Sequence, residues 1–257
     1  MSEAVEIVTV DASNVEKEGF FCYKSKPKTS GYQHKLSWLK ERLAEGMRIK
    51  ILYEGKRSVG FVEYTPAEVA WRVVNAPNYM VIHCLWVVGQ GKGKGYGALL
   101  LNECLREAEE AHKDGVVMVS TGGVWLADKK LFLKHGFEVV DHAPPAFELL
   151  VKRFNAGAPL PAFPTDWEQR AARYGTGLTV LYANQCPYID DAWGGIVEAA
   201  KARGLEVRTI ELKSSREVQE LSPTAYGIFG VVRDGKLLTY HYLSQKEIDA
   251  FFGVLPG

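Results

Sequence analysis

The chain has 257 residues, and 31 Lys plus Arg stand against 31 Asp plus Glu, so no overall field draws it to nucleic acid or to an anionic membrane. No apolar run reaches the ~18 residues needed to span a bilayer, and the start, MSEAVEIVTVDAS, has neither a basic leader nor an apolar signal core, which points to a cytoplasmic protein. Cys22, Cys84, Cys104 and Cys186 form no CxxC pair and no Cys/His zinc spacing, so free thiols and no metal are expected.

The first half reads as a strand at 5–10, an amphipathic helix at 32–46, and strands at 47–55 and 57–65 turning through Gly55 and Lys56. YMVIHCLWVV (79–88) is a buried strand, and ALLLNECLREAEEA (98–111) repeats apolar residues at helical spacing. A strand at 115–121, a helix at 124–137 stopped by Gly136, and strands at 138–141 and 146–154 follow. NAGAPLPAFP, with Pro159, Pro161 and Pro164, has the composition of a linker, so a domain boundary is expected near residue 155 and the domains should separate there.

The second half opens on a helix at 165–175, boxed by Thr165 and Glu168. It continues with a strand at 178–188, a helix at 191–204, a strand at 205–212, a short helix capped by Ser214 and Glu217, two strands turning at Asp234-Gly235, and a helix boxed by Ser244 and Glu247. That order belongs to a small α/β domain.

Between the strand at 79–88 and the helix at 98–111 lies GQGKGKGYG. Glycine there costs backbone entropy and gives up packing, which makes sense where a main chain must turn sharply or approach something closely. A helix start offers unpaired N–H groups and a positive dipole end, and glycines remove the Cβ atoms that would keep a phosphate away. Lys92 and Lys94 add charge. The loop lacks GxxxxGK[ST], which excludes a nucleoside triphosphatase loop. A dinucleotide fingerprint forced onto Gly93, Gly95 and Ala98 lacks the acidic residue after the next strand, which ends in Ser120 and Thr121.

The remaining pattern, QxxGxG at Gln90, Gly93 and Gly95, together with KHGF at 134–137 and the order of elements over 5–154, resembles the GNAT superfamily of acyl-coenzyme A N-acyltransferases. The resemblance implies an α/β (α+β) fold with a mixed, splayed sheet and acetyl-CoA as cosubstrate. Main-chain groups near His83, Cys84 and Leu85 would meet the pantetheine arm, and Gln90, Gly91, Lys92, Gly93, Lys94, Gly95, Tyr96 and Gly97 would form the pyrophosphate loop. The general acid of many relatives, a tyrosine five residues before the Phe of the GF pair, falls on Phe132, and the glutamate base near the end of the fifth strand meets STGG. Glu63, His83 and Tyr64 are the substitutes available nearby, each also readable as an ordinary strand residue.

Residues 177–252 resemble a thioredoxin-like fold, in which Cys186 would begin the first helix and a cis proline, Pro223, would face it. The second cysteine of a dithiol centre falls at Ile189, leaving a monothiol role for Cys186 or a domain kept for binding. The pairing of the two halves resembles the YoaP-like acetyltransferases. The expected organisation is an acyltransferase domain at 1–154, a linker with a short helix at 155–176, and a thioredoxin-like domain at 177–257. Acetyl transfer to a primary amine of a small molecule or peptide is the function implied, with no nucleic acid, membrane or metal partner. The alternative is a thiol redox or binding protein whose first half only binds acyl-CoA. The acceptor and the oligomeric state are not legible.

Overall fold

The computed structural model of the chain describes residues 4–122 and 126–254. Its elements are β1 (Val5–Val10), α1 (Val15–Glu18), α2 (Ser30–Ala44), β2 (Arg48–Glu54), β3 (Arg57–Pro66), β4 (Tyr79–Val87), α3 (Tyr96–Glu110), β5 (Gly115–Thr121), α4 (Lys129–Lys134), β6 (Glu138–Ala143) and β7 (Phe147–Arg153). They continue with α5 (Trp167–Ala172), β8 (Leu178–Tyr182), α6 (Pro187–Lys201), β9 (Val207–Glu211), α7 (Ser215–Leu221), β10 (Phe229–Arg233), β11 (Lys236–Thr239) and α8 (Gln245–Val254). A mixed seven-stranded sheet has the order β1-β2-β3-β4-β5-β7-β6, and a four-stranded sheet the order β11-β10-β8-β9. The mixed α/β architecture expected from the sequence is the one found. Among the described residues no helix is long and apolar enough to cross a membrane.

The chain divides into two compact units, but not at one point. The first comprises Met1–Ser25, Leu39–Ala70 and Val74–Phe163, the second Lys26–Trp38, Trp71–Val73 and Pro164–Gly257. The stretch expected at 155–176 as a linker with a short helix is shared between the two units, which there divide between Phe163 and Pro164. Its first part is fastened to the first unit: Tyr79 Oη donates to Pro159 O at 2.9 Å, Asn75 and Ala162 exchange backbone bonds at 2.8 and 3.0 Å, and Phe163 N donates to Asp141 Oδ2 at 2.7 Å. Its second part is α5 and the turn after it, where Arg170 Nη1 donates to Gln219 O and Tyr174 Oη to Leu221 O. Proline removes a donor but leaves its carbonyl, and here the Pro159 carbonyl is used.

In the first unit, α3 lays Leu100, Leu101, Cys104, Leu105 and Ala108 on Val62 and Tyr64 of β3 and Met80, Ile82 and Leu85 of β4. That is the stripe a 3.6-residue period aligns on one face, and each fully buried leucine contributes about 2 kcal/mol. Phe132 and Phe137 join the same cluster. Expected boundaries shift where caps act. The helix expected from 124 begins at Lys129, because Asp128 Oδ1 accepts the Lys130 N–H at 2.9 Å; Val124 and Trp125 lie outside the described residues.

In the second unit, α6 starts at Pro187, four residues before the expected position, with proline where its missing N–H costs nothing and Cys186 as N-cap. The preceding strand correspondingly ends at Tyr182. The Ser214 and Ser244 boxes form, Ser214 Oγ accepting from Glu217 N and Glu247 Oε2 accepting from Ser244 N. The Thr165 box does not. Asp166 holds the N-cap position of α5 without a side-chain cap bond, and its carboxylate takes the Arg170 Nε–H at 2.6 Å instead. The cis proline implied at Pro223 is also corrected: Ser222–Pro223 is trans, and the cis bond among the described residues is Pro144–Pro145.

Candidate active site

The parallel ladder between β4 and β5 runs only from Tyr79↔Gly115 to Ile82↔Met118. Beyond it β4 continues through Val87 and β5 through Thr121 without pairing to each other. The strands part where the register with β3 shifts, between Glu63↔Cys84 and Tyr64↔Ile82, so His83 is the extra residue of a β-bulge. A bulge bends its strand and re-aims a side chain. His83, Cys84 and Leu85, expected to offer main-chain groups, lie on the segment of β4 that faces no strand on the β5 side.

The bulge puts the His83 ring against Glu63: Nδ1 lies 3.2 Å from Glu63 Oε1, with both side chains buried. A carboxylate beside Nδ1 favours the tautomer that carries its proton there. Two of the residues singled out from sequence are thus brought together. Tyr64 is not one of them. It is buried on the α3 face, and its Oη donates to Glu107 Oε2 at 2.5 Å. Burial, with Cys104 and Glu107 nearby, pushes its phenol far up, so it is corrected to a structural residue. Lys50, also buried, donates to the same Glu107 carboxylate. Phe132, at the position of the usual acid, is fully buried and meets Phe137 edge-on at 5.2 Å.

The glycine loop divides into two kinds of glycine. Gly93 and Gly95 have φ of +80° and +81°, and a Cβ on either would meet nothing within 4 Å, so the space beside them is what an anion would occupy. Gly91 and Gly97 instead permit close packing: a Cβ there would lie 3.1 Å from Val87 and 3.2 Å from Leu131. Gly95 is the left-handed N-cap of α3, where a helix begins with unpaired N–H groups. The residues present therefore fit a pyrophosphate. Lys94, expected to add charge there, is bonded to Glu54 Oε1 at 2.5 Å, and Tyr96 Oη donates to the same atom at 2.7 Å. Gln90 Oε1 accepts from Arg57 Nη1 at 3.4 Å. Glu54, Arg57 and Glu107 were not foreseen, since nothing in sequence spacing signals contacts across 40 residues.

A cavity of about 720 Å³ opens at the end of β5, lined by Thr121, Asp128, Lys129, His142, Pro145 and Glu148 among others. Lys129 donates to Glu148 at 2.7 Å, so two of its charges are paired with each other. In the second unit Cys186 is half-buried and makes no side-chain cap bond, and Ile189, at the second-cysteine position, is buried. No cluster of metal-ligating groups occurs among the described residues.

A splayed mixed sheet followed by a glycine loop that opens a helix defines an acetyltransferase of the GNAT type. Residues 14–137 match the model of the Acetyltransferase (GNAT) family, and the chain belongs to that family. It is 32% identical over 254 residues to the uncharacterized N-acetyltransferase YoaP of Bacillus subtilis (strain 168), covering 96% of this chain and 98% of that protein. Among solved structures it is similar to the paia N-acetyltransferase of Thermoplasma acidophilum in complex with coenzyme A, at 12% identity, 59% of this chain, 99% of the other and a TM-score of 0.42. It is also similar to yncA of Salmonella typhimurium with acetyl-CoA, at 15% identity, 61% and 97% coverage and a TM-score of 0.43.

Proposed function

We propose that the protein transfers an acetyl group from acetyl-CoA to a primary amine of a small-molecule or peptide acceptor in the cytoplasm. The observation that carries this reading is the stretch of β4 beyond the end of its ladder with β5, which runs straight into a loop whose Gly93 and Gly95 leave open space before a helix N-terminus. His83–Val87 would hold an extended pantetheine arm as a strand is held, and the amides around Gly93 to Tyr96 would hold the pyrophosphate. Acetyl-CoA supplies a thioester whose thiolate leaves readily. The chain's own part is to bind, to orient and to take one proton. His83, held by Glu63, accepts that proton from the attacking amine, and a β4 amide polarises the carbonyl. No side chain of the Phe132 position can donate, so water protonates the departing sulfur.

The second unit, with its order β11-β10-β8-β9 and parallel β8–β9 pair, we read as a thioredoxin-like accessory domain. The buried Ile189 and trans Pro223 argue against dithiol exchange.

Calorimetric titration with acetyl-CoA and thiol release against an amine panel test the whole reading. Gly95→Glu should abolish binding while the protein stays folded, because a carboxylate then occupies the anion's space. Binding at wild-type affinity by that variant would sink the cradle.

A further inference from the structure

The turn between β2 and β3 reaches the glycine loop through a carboxylate. Glu54, the last residue of β2, has a side chain only 9% exposed, and its Oε1 accepts from both Lys94 and Tyr96. Those two residues stand on either side of Gly95, the left-handed cap of α3. The other oxygen, Oε2, is buried without a hydrogen bond, and Arg57 Nη2 stands 3.8 Å from it. A buried, half-satisfied carboxylate beside an anion-binding loop opposes the charge of the ligand, so electrostatics alone gives no reason for it. Mechanics does. Lys92, by contrast, has no carboxylate partner among the described residues, and its Nζ lies 5.9 Å from the exposed ring of Trp86.

We propose that Glu54 is a positioning residue that straps the glycine loop through Lys94 and Tyr96, fixing the amides around Gly95 before ligand arrives and leaving Lys92 as the loop lysine that meets the phosphates. The assignment of phosphates as ligand rests on the acetyl-CoA reading above. The strap itself is a property of the free protein. Its gain is preorganisation: amides already aimed need not be ordered on binding. The two loop lysines, equivalent in sequence, thereby take different tasks. The bonds to Lys94 and Tyr96 also hold the Glu54 carboxyl below the usual range, so the strap is charged at neutral pH.

The test uses the full-length chain and two readouts. Amide hydrogen exchange over residues 91–97 in ligand-free protein reports the strap, and calorimetric titration with coenzyme A reports its consequence. Removing a negative charge near a polyanion should tighten binding, whereas cutting a strap should weaken it, so the sign decides. Glu54→Gln is expected to speed loop exchange and to weaken coenzyme A binding roughly tenfold. Lys94→Met should cost about as much, and the double variant no more than either single one. Lys92→Met should leave exchange unchanged while weakening binding and flattening its salt dependence. Tyr96→Phe serves if Glu54→Gln does not fold, with the same expectations at smaller size. Unchanged exchange with equal or tighter binding in Glu54→Gln would overturn the proposal. Failure of wild type to bind coenzyme A would instead sink the acetyl-CoA reading, and the exchange rates would still decide the strap.

Discussion

At the scale of single residues the site is set by one bulge. His83 interrupts an apolar strand, and only the register shift against β3 turns its ring onto Glu63. If the pair acts as the base, Glu63→Gln and His83→Gln should each lower kcat by about 10² to 10⁴ while the KM for acetyl-CoA stays put. Equal kcat in both variants and wild type, measured at saturating cosubstrate, would assign the pair to the core. Phe132 tests the other half of the chemistry. Its ring is fully buried against Phe137, so Phe132→Tyr brings a hydroxyl into an apolar cluster and should cost about 1–3 kcal/mol of stability, seen as a lower melting temperature. Turnover should change little. A rate gain of the size a general acid supplies would mean that the missing tyrosine is the only thing limiting this enzyme.

Among the elements, α3 does two jobs: its N-terminus faces the glycine loop, and its second half fastens β2 and β3 through Glu107. Burial raises the Glu107 pKa, but the bonds from Lys50 and Tyr64 outweigh it, and the net position is below the ordinary carboxylate value. A carboxylate depressed in the folded state contributes stability that is fully present above its unfolded pKa and is lost as pH falls through the folded one. Wild type should therefore lose stability progressively below about pH 4.5. Glu107→Gln should be less stable at neutral pH and should lose less on acidification, a comparison that denaturant melts at pH 7 and pH 3.5 would make. Parallel slopes would place the acid sensitivity elsewhere, for which Asp114, depressed by its bonds from Asn155 and Asn78, is the next candidate.

For the molecule as a whole, the division into units changes what a truncation does. A cut in the proline-bearing stretch reads from sequence as harmless, yet Lys26–Trp38 and Trp71–Val73 cluster with residues 164–257. Gly31 shows how close that packing is, since a Cβ there would lie 2.3 Å from Pro187 O, and Arg72 donates to Tyr226 O at 3.2 Å. A fragment ending at Phe154 loses these partners and should expose Trp38 and Trp71, which pack edge to face at 4.9 Å. We expect it to melt well below the full chain, or to aggregate, when followed by tryptophan fluorescence. A fragment with the full chain's stability would show that those segments hold their places without residues 164–257.

What the sequence determined by itself was local. The glycine loop, the order of strands and helices, the Ser214 and Ser244 boxes, and the lack of a tyrosine at Phe132 are legible because turns, caps and apolar periods act over a few residues. Gln90, Gly93 and Gly95 even carry the family. What only tertiary structure decided was pairing at a distance: that His83 faces Glu63, that Tyr64 is spent on Glu107, that Lys94 belongs to Glu54, and that Gly91 and Gly97 make room for side chains while Gly93 and Gly95 stand beside open space. These follow from register and burial, which are fixed by the sum of many weak contacts across the sheet, and no short window of residues contains that sum.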